Sequence, residues 1–338
     1  MQKPRILYLP VPSHTQSVFS PEVFARFQAR FDVTFNETGK NYTSEQLAEA
    51  IAGFEGLVTG WGTPPVTESV MKNAEALRII AHSAGSVKGL VGRVAEKYIV
   101  PRQICVFSAN GAIALNVAEY TVGALIMTTR RCFDFITHTR SGVWNRGQVV
   151  SIPKSLRGGV VGIVSASKVG REVIKLLKPF DPKLLVYDPY LSDWDAGNLG
   201  VEKVALNDLF ARSDFVSLHA PSIPETNKMI GAAQLRLLKD GAVFLNTSRG
   251  SVVDHDALLA EARTGRIWVM LDVTTPEPLP PDSPFFELPN VFVTPHVSGT
   301  GTYGYAKIGE MTLAALEDFF AERPVVGAVD FKQFSLLA

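Results

Sequence analysis

The sequence predicts an α/β protein made of two doubly wound parallel sheets. Three observations predict it. Short β-rich runs alternate with helical patterns through both halves of the chain. A length of 338 residues exceeds one ordinary core and suits two domains of roughly 150 residues each. One stretch, Leu156–Tyr190, reads as a complete βαβ unit. Hydrophobic residues make up 46% of the chain, enough to bury both cores.

In the first half the β-rich runs are Arg5–Leu9, Val33–Asn36, Gly56–Thr59, Arg78–Ala81 and Ile104–Phe107. Helical periodicity fills Pro21–Phe31 and Thr43–Ile51, the second opened by a Thr43/Gln46 capping box. Short connections between them argue for a parallel sheet covered on both faces. This half lacks a glycine-rich phosphate loop, which points it toward substrate contacts and away from nucleotide. Ser108–Gly111 then leads into a long helix over Ile113–Arg130, readable equally as a bridge between domains or as a core helix. Its apolar stretch Gly111–Met127 contains Asn116 and Glu119; a charge in mid-span is costly in lipid, so a buried helix of a soluble protein is expected.

The βαβ unit comprises strand Val160–Val164, turn Ser165–Lys168, helix Val169–Lys178 and strand Leu184–Tyr187. The helix rests on an apolar stripe, Val169, Val173, Leu176, Leu177 and Phe180, stopped by Pro179. Ser165-Ala166-Ser167-Lys168-Val169-Gly170 occupies the frame of a G-x-G-x-x-G dinucleotide fingerprint, with serine at two of the three glycine positions. Gly170 keeps the place of close helix-to-strand packing; a side chain at Ser167 either crowds a pyrophosphate or donates its hydroxyl to it. Asp188, eighteen residues beyond Gly170, stands where a carboxylate accepts from an adenosine ribose and repels a 2′-phosphate, which favours NAD over NADP. Further strands are predicted at Phe215–Leu218, Ala242–Asn246, Trp268–Leu271 and Val291–Thr294, six in all for this half. An amphipathic helix over Ile308–Phe320 follows, and Pro324–Ala338 reads as a strand and tail.

With 33 basic and 33 acidic residues and no run of either sign, the chain has no electrostatic footprint for nucleic acid or for an anionic membrane. A small-molecule partner is expected. Cys105 and Cys132 are the only cysteines, too few for a disulfide framework and outside any metal-ligand spacing, so no metal is expected. The start, MQKPRILYLP, has too short an apolar run for a signal peptide, and a cytoplasmic protein is expected.

Ligands of open α/β sheets sit beyond the carboxyl ends of the strands. The residues there are Ser165, Asp188, His219-Ala220-Pro221, Thr247-Ser248-Arg249, Asp272 and Pro295-His296, with Glu277 shortly after Asp272. An arginine, an imidazole and a carboxylate together can hold a carboxylate, polarise a carbonyl and move a proton. Taken singly, a histidine after a strand is more often structural and Pro-Glu-Pro is an ordinary bend.

Asn246–Asp254 (NTSRGSVVD), Leu271–Pro278 (LDVTTPEP) and Thr294–Gly299 (TPHVSG) resemble the D-isomer-specific 2-hydroxyacid dehydrogenases, which include phosphoglycerate dehydrogenases and glyoxylate/hydroxypyruvate reductases. Ser213–Gly231, Asn116–Leu125 and Ser141–Gly147 match as well, so the resemblance runs from about Leu77 to Val329. It implies a flavodoxin-like substrate domain (1–112 and 303–338), a Rossmann NAD-binding domain (113–302) and an active site in the cleft between them. It further implies an NAD-dependent oxidoreductase acting on a small 2-hydroxy or 2-oxo acid, as a homodimer. Arg249 then holds the substrate carboxylate and carbonyl, His296 is the general acid/base and Glu277 orients its ring. Cofactor contacts fall on Ser165, Ala166, Ser167, Lys168, Val169, Gly170, Asp188, His219, Ala220, Pro221, Thr226, Thr247, Ser248, Asp272 and Gly299. Within that set, His219 walls the cofactor cleft and Asp272 receives the nicotinamide carboxamide. Substrate contacts fall on the Ala84 and Gly85 backbone and on Trp61, although Val87 replaces the aspartate usual two residues after that glycine. His14, His82, His138 and His255 match no catalytic position and are read as surface or structural. The two serines keep open a protein of the same fold that binds NAD(H) to sense or regulate, with little turnover.

Overall fold

Parallel strands buried on both faces carry near-continuous apolar runs. Such runs organise the computed structural model, which describes residues 3–144 and 153–336. The chain divides into two units, Met1–Asn116 with Thr300–Ala338, and Val117–Gly299.

The first unit holds β1 (Arg5–Tyr8), β2 (Asp32–Phe35), β3 (Gly56–Thr59), β4 (Ile79–His82) and β5 (Cys105–Ser108). They are parallel, in the order β2-β1-β3-β4-β5, so the direction of winding reverses between β1 and β3. Strand alternation sends Leu7, Leu57, Ile80 and Val106 to one core, with Leu47 and Val70 from covering helices. Ile6, Tyr8, Val58, Ile79 and Phe107 enter the opposite core, with Phe27, Ile308 and Leu316. The Thr43/Gln46 capping box forms at helix Ser44–Ala50. Helix Thr302–Phe320 begins six residues before the predicted Ile308, because its first turns (Thr302, Tyr303, Gly304) lack an apolar stripe. The predicted C-terminal strand reduces to one antiparallel bridge, Phe107 to Ala328. Gly327, left-handed at φ +91°, turns the chain there, and a 3₁₀ turn, Phe331–Leu336, follows.

The second unit holds β6 (Val160–Val164), β7 (Lys183–Tyr187), β8 (Glu202–Lys203), β9 (Phe215–Leu218), β10 (Val243–Asn246), β11 (Trp268–Leu271) and β12 (Val291–Val293). All are parallel, in the order β12-β11-β10-β9-β6-β7-β8, with the switch point between β6 and β9. The seventh strand, absent from the sequence-based reading, is β8; two exposed charged residues give no alternation to detect. Helix Asn110–Thr129 is long and apolar enough to span a membrane, yet it supplies Ala112 to a first-unit core and Ala118, Val122 and Leu125 to a second-unit core. Residues 145–147 of the matching segment Ser141–Gly147 lie outside the described residues.

Candidate active site

Neighbouring strands β10, β11 and β12 deliver the three expected catalytic side chains on the loops beyond their carboxyl ends. Asn246 ends β10 and bends the chain into Arg249: its Oδ1 accepts from Ser248 N (2.9 Å) and Oγ (2.8 Å), and its Nδ2 donates to Arg249 O (3.0 Å). Next comes Gly250, where a Cβ would lie 2.0 Å from Thr274 O. Only glycine lets this loop press against the loop that carries Glu277. Burial lowers the Arg249 pKa from its ordinary value, opposed by the charge of Glu277. The guanidinium donates to Ser248 O at 2.6 Å.

His296 and Glu277 meet directly, with Nδ1 and Oε1 2.5 Å apart. Thr274 N donates to the other carboxylate oxygen at 3.3 Å. Nε2 of His296 has no hydrogen-bond partner among the described residues, and the side chain is about half exposed. One imidazole nitrogen is thus tied to a carboxylate while the other is presented outward, the arrangement of an oriented proton donor and acceptor. His255 supports the same loop: its Nε2 accepts from Thr275 N (3.2 Å), which leaves Nδ1 to donate to Val253 O (3.1 Å).

Asp272, only 1% exposed, organises the His296 loop. Its Oδ1 accepts from Thr294 Oγ1 (2.7 Å) and Val297 N (2.9 Å), and its Oδ2 from Ser298 N (2.9 Å). Tyr120 OH bonds Thr294 Oγ1 at 2.6 Å and extends the network. Tyr120 and Thr294 both lie inside matching segments, but neither was singled out from sequence, because their work is on Asp272 and not on a ligand. Together these bonds hold His296 at φ +53°, a left-handed conformation that a residue with a Cβ adopts only when its surroundings impose it.

In the turn after β6 both serines bond within the protein itself. Ser165 occupies φ +80°, the conformation for which the first glycine of the fingerprint is usually needed. Asp188, at the end of β7, holds it: Oδ2 accepts from Ala166 N (2.8 Å) and Ser165 Oγ (3.2 Å), and Oδ1 from Tyr190 N (2.8 Å). Ser167 turns its hydroxyl inward. It caps helix Lys168–Leu177 by accepting from Gly170 N (3.3 Å) while donating to His219 O (2.8 Å). A Cβ on Gly170 would lie 2.1 Å from Ser165 O, so the third glycine position is a real packing requirement. A close turn, a ten-residue helix opening from it and a carboxylate at the next strand end fit a dinucleotide.

The other expected cofactor residues are placed as follows. His219 is fully buried, with Nε2 on Ser217 Oγ (2.9 Å), and burial pushes its pKa down to about 3, consistent with a neutral wall. Ala220 is buried beside it, and Pro221 is half-buried. The Thr226 hydroxyl turns back onto its own loop, to Pro221 O (2.5 Å) and Ile223 O (3.1 Å). Thr247 bonds Thr121 (2.9 Å). Lys168 is exposed, Val169 packs partly against a core, and Gly299 is the last residue of the unit.

On the first unit, the loop after β4 carries Ala84 and Gly85. Ser108 Oγ donates to Gly85 O at 2.5 Å, and neither the Ala84 nor the Gly85 amide has an acceptor among the described residues. Two adjacent unbonded amides in a loop of small residues, one of them on fully buried Ala84, suit an anion. Val87 is buried in the core and places no carboxylate there. His14 and His82 are not surface residues: burial holds each near pKa 4, hydrogen-bonded to Ser83 (2.9 Å) and Thr59 (2.8 Å) respectively. Among the described residues, no cluster of side chains suits a metal.

Residues 122–298 match the model of the D-isomer specific 2-hydroxyacid dehydrogenase NAD binding domain. The chain is 34% identical over 263 residues to a D-3-phosphoglycerate dehydrogenase of Methanocaldococcus jannaschii, covering 77% of this chain and 48% of that protein. It is also 34% identical over 262 residues to a glyoxylate reductase of Korarchaeum cryptofilum, covering 76% and 77%. The chain spans about half the length of the phosphoglycerate dehydrogenases it matches. In fold it resembles a phosphoglycerate oxidoreductase from Rhizobium etli, with TM-score 0.83, 24% identity, and 98% of this chain and 99% of that one covered.

Proposed function

The chain belongs to the D-isomer specific 2-hydroxyacid dehydrogenase family, and from that premise we propose that it interconverts a small D-2-hydroxy acid and its 2-oxo acid, with NAD as the preferred cofactor. The observation that carries this reading is the His296–Glu277 pair at 2.5 Å on the loops beside Arg249. Arg249 grips the carboxylate and carbonyl oxygen of the 2-oxo acid with its planar fork of donors, lowering the energy of charge that develops on that oxygen. Nε2 of His296 gives its proton to the same oxygen and takes it back in the reverse direction. Glu277 fixes the ring through Nδ1 and faces the charge that the imidazole carries when protonated. Bound reduced nicotinamide supplies the hydride.

Ser165–Gly170 would hold the pyrophosphate, Asp188 the ribose hydroxyls, and the one acceptor position of Asp272 not already used the carboxamide. A carboxylate at Asp188 repels a 2′-phosphate, so NADH is preferred over NADPH. The Ala84 and Gly85 amides receive the substrate carboxylate, and Trp61 meets its side chain. Oxidation of NADH with a panel of 2-oxo acids tests the proposal. Turnover with at least one acid is expected; NADH binding without turnover on any of them would instead support a cofactor sensor.

A further inference from the structure

In a sheet wound 2-1-3-4-5, the ligand-binding crevice lies beyond the carboxyl ends of the first and third strands. In the first unit that position is filled by aromatic rings. His14 follows β1, Trp61 follows β3, and their ring centroids are 4.9 Å apart at 65°. Tyr305, from helix Thr302–Phe320, meets the same indole at 5.3 Å.

The turn that displays Trp61 is fixed at every residue. A Cβ on Gly60 would lie 2.7 Å from the His14 ring. Gly62 adopts φ +80°, and a Cβ there would lie 2.1 Å from Asn41. Thr63 closes the turn, its Oγ1 accepting from Gly60 N (2.9 Å) and its N donating to Gly60 O (3.2 Å). His14 is equally constrained. Ser83 Oγ donates to Thr59 O (2.7 Å) and so accepts from His14 Nε2 (2.9 Å), which sets the tautomer and links this brace to the residue before Ala84. Despite two aromatic neighbours and a rigid turn, Trp61 remains 41% exposed. A large apolar ring held in place and presented outward favours an apolar ligand group at little cost in ordering.

Charge points the same way. Residues 9–14, 60–63, 83–87 and 109–111, which follow β1, β3, β4 and β5, contain no Lys, Arg, Asp or Glu. Lys88, the next residue, directs its ammonium to Ser335 O at 3.0 Å. A phosphate group calls for Arg or Lys donors; the loops after β1, β3, β4 and β5 supply none, and Lys40, after β2, is balanced by Glu37 on the same loop.

We infer that the 2-oxo acid carries an uncharged, ring-sized apolar side chain that rests on Trp61, and that Trp61 sets this preference with His14 and Tyr305 as positioning residues. The inference rests on the dehydrogenase reading above. The experiment compares kcat/KM for phenylpyruvate, glyoxylate and 3-phosphohydroxypyruvate in the intact protein and in Trp61→Ala and Trp61→Phe. Phenylpyruvate should exceed the phosphorylated acid by about 100-fold or more; Trp61→Ala should cut that ratio by about tenfold, mainly through KM for phenylpyruvate, and Trp61→Phe should restore most of it. Equal or better use of 3-phosphohydroxypyruvate, turnover of glyoxylate alone, or a ratio unmoved by Trp61→Ala overturns the inference and leaves the dehydrogenase reading standing. Failure to reduce any of the three acids, or any other 2-oxo acid, overturns both.

Discussion

Two strand-end aspartates in the second unit do the same structural task at different depths. Asp272, after β11, holds the loop that follows β12; Asp188, after β7, holds the loop that follows β6. Each fixes a neighbouring loop in which a residue with a side chain sits at positive φ, His296 at +53° and Ser165 at +80°. Each accepts three hydrogen bonds from the protein itself, and they differ in depth: Asp272 is buried, whereas Asp188 is half-buried. Both build the site, and in the proposed function both also meet the cofactor, Asp272 from a buried position and Asp188 from a half-exposed one.

The comparison breaks most visibly at Asp272. Asp272→Ala leaves the Val297 and Ser298 amides without their acceptor inside the protein, so unfolding should become easier by about 2–4 kcal/mol. With the His296 loop released, kcat should fall by about 100-fold. Thermal melts and single-turnover rates measure the two effects. The corresponding change, Asp188→Ala, removes three bonds at a half-buried position and should cost less, about 1 kcal/mol in stability. Its larger effect should be on cofactor choice, narrowing the NADH-over-NADPH preference by about tenfold or more, read from paired titrations. An unchanged NADH-over-NADPH preference would place discrimination elsewhere.

Smaller again is Ser165→Gly. Relief of the left-handed strain should stabilise the fold by about 1 kcal/mol, offset in part by loss of the bond to Asp188, with NADH affinity unchanged or improved. A marked loss of affinity would make the serine hydroxyl a cofactor contact. Smallest at neutral pH is the response to acid, which neither aspartate is invoked to explain. His14 and His82 are held near pKa 4, below the ordinary 6.5, so the unfolded chain binds more protons between these values. Their neutral burial stabilises fully above pH 6.5, and that contribution is lost as pH falls toward 4. Melting temperature should decline through that window, and His14→Gln should remove part of the slope.

What the sequence made legible follows from which physical signals are local. Buried parallel strands have strong apolar runs, so all but β8 were found, with ends within one residue. The candidate catalytic residues Arg249, Glu277 and His296 could be singled out because their types, order and spacing resemble those of one family. Ser165 and Ser167 were harder: sequence shows that glycine is missing, but not that Asp188 stabilises the left-handed turn or that Ser167 faces inward as a helix cap. His14 was equally opaque, since its contacts, Trp61 and Ser83, lie 47 and 69 positions away in the chain.

The central claim is that His296, oriented by Glu277, moves the proton to and from the substrate oxygen. His296→Ala tests it most directly, with NADH oxidation by the best 2-oxo acid and the NADH dissociation constant measured on the same preparation. A loss of about 10² to 10⁴ in turnover with cofactor affinity nearly intact is expected; turnover close to that of the unmodified protein would remove His296 from the proton transfer.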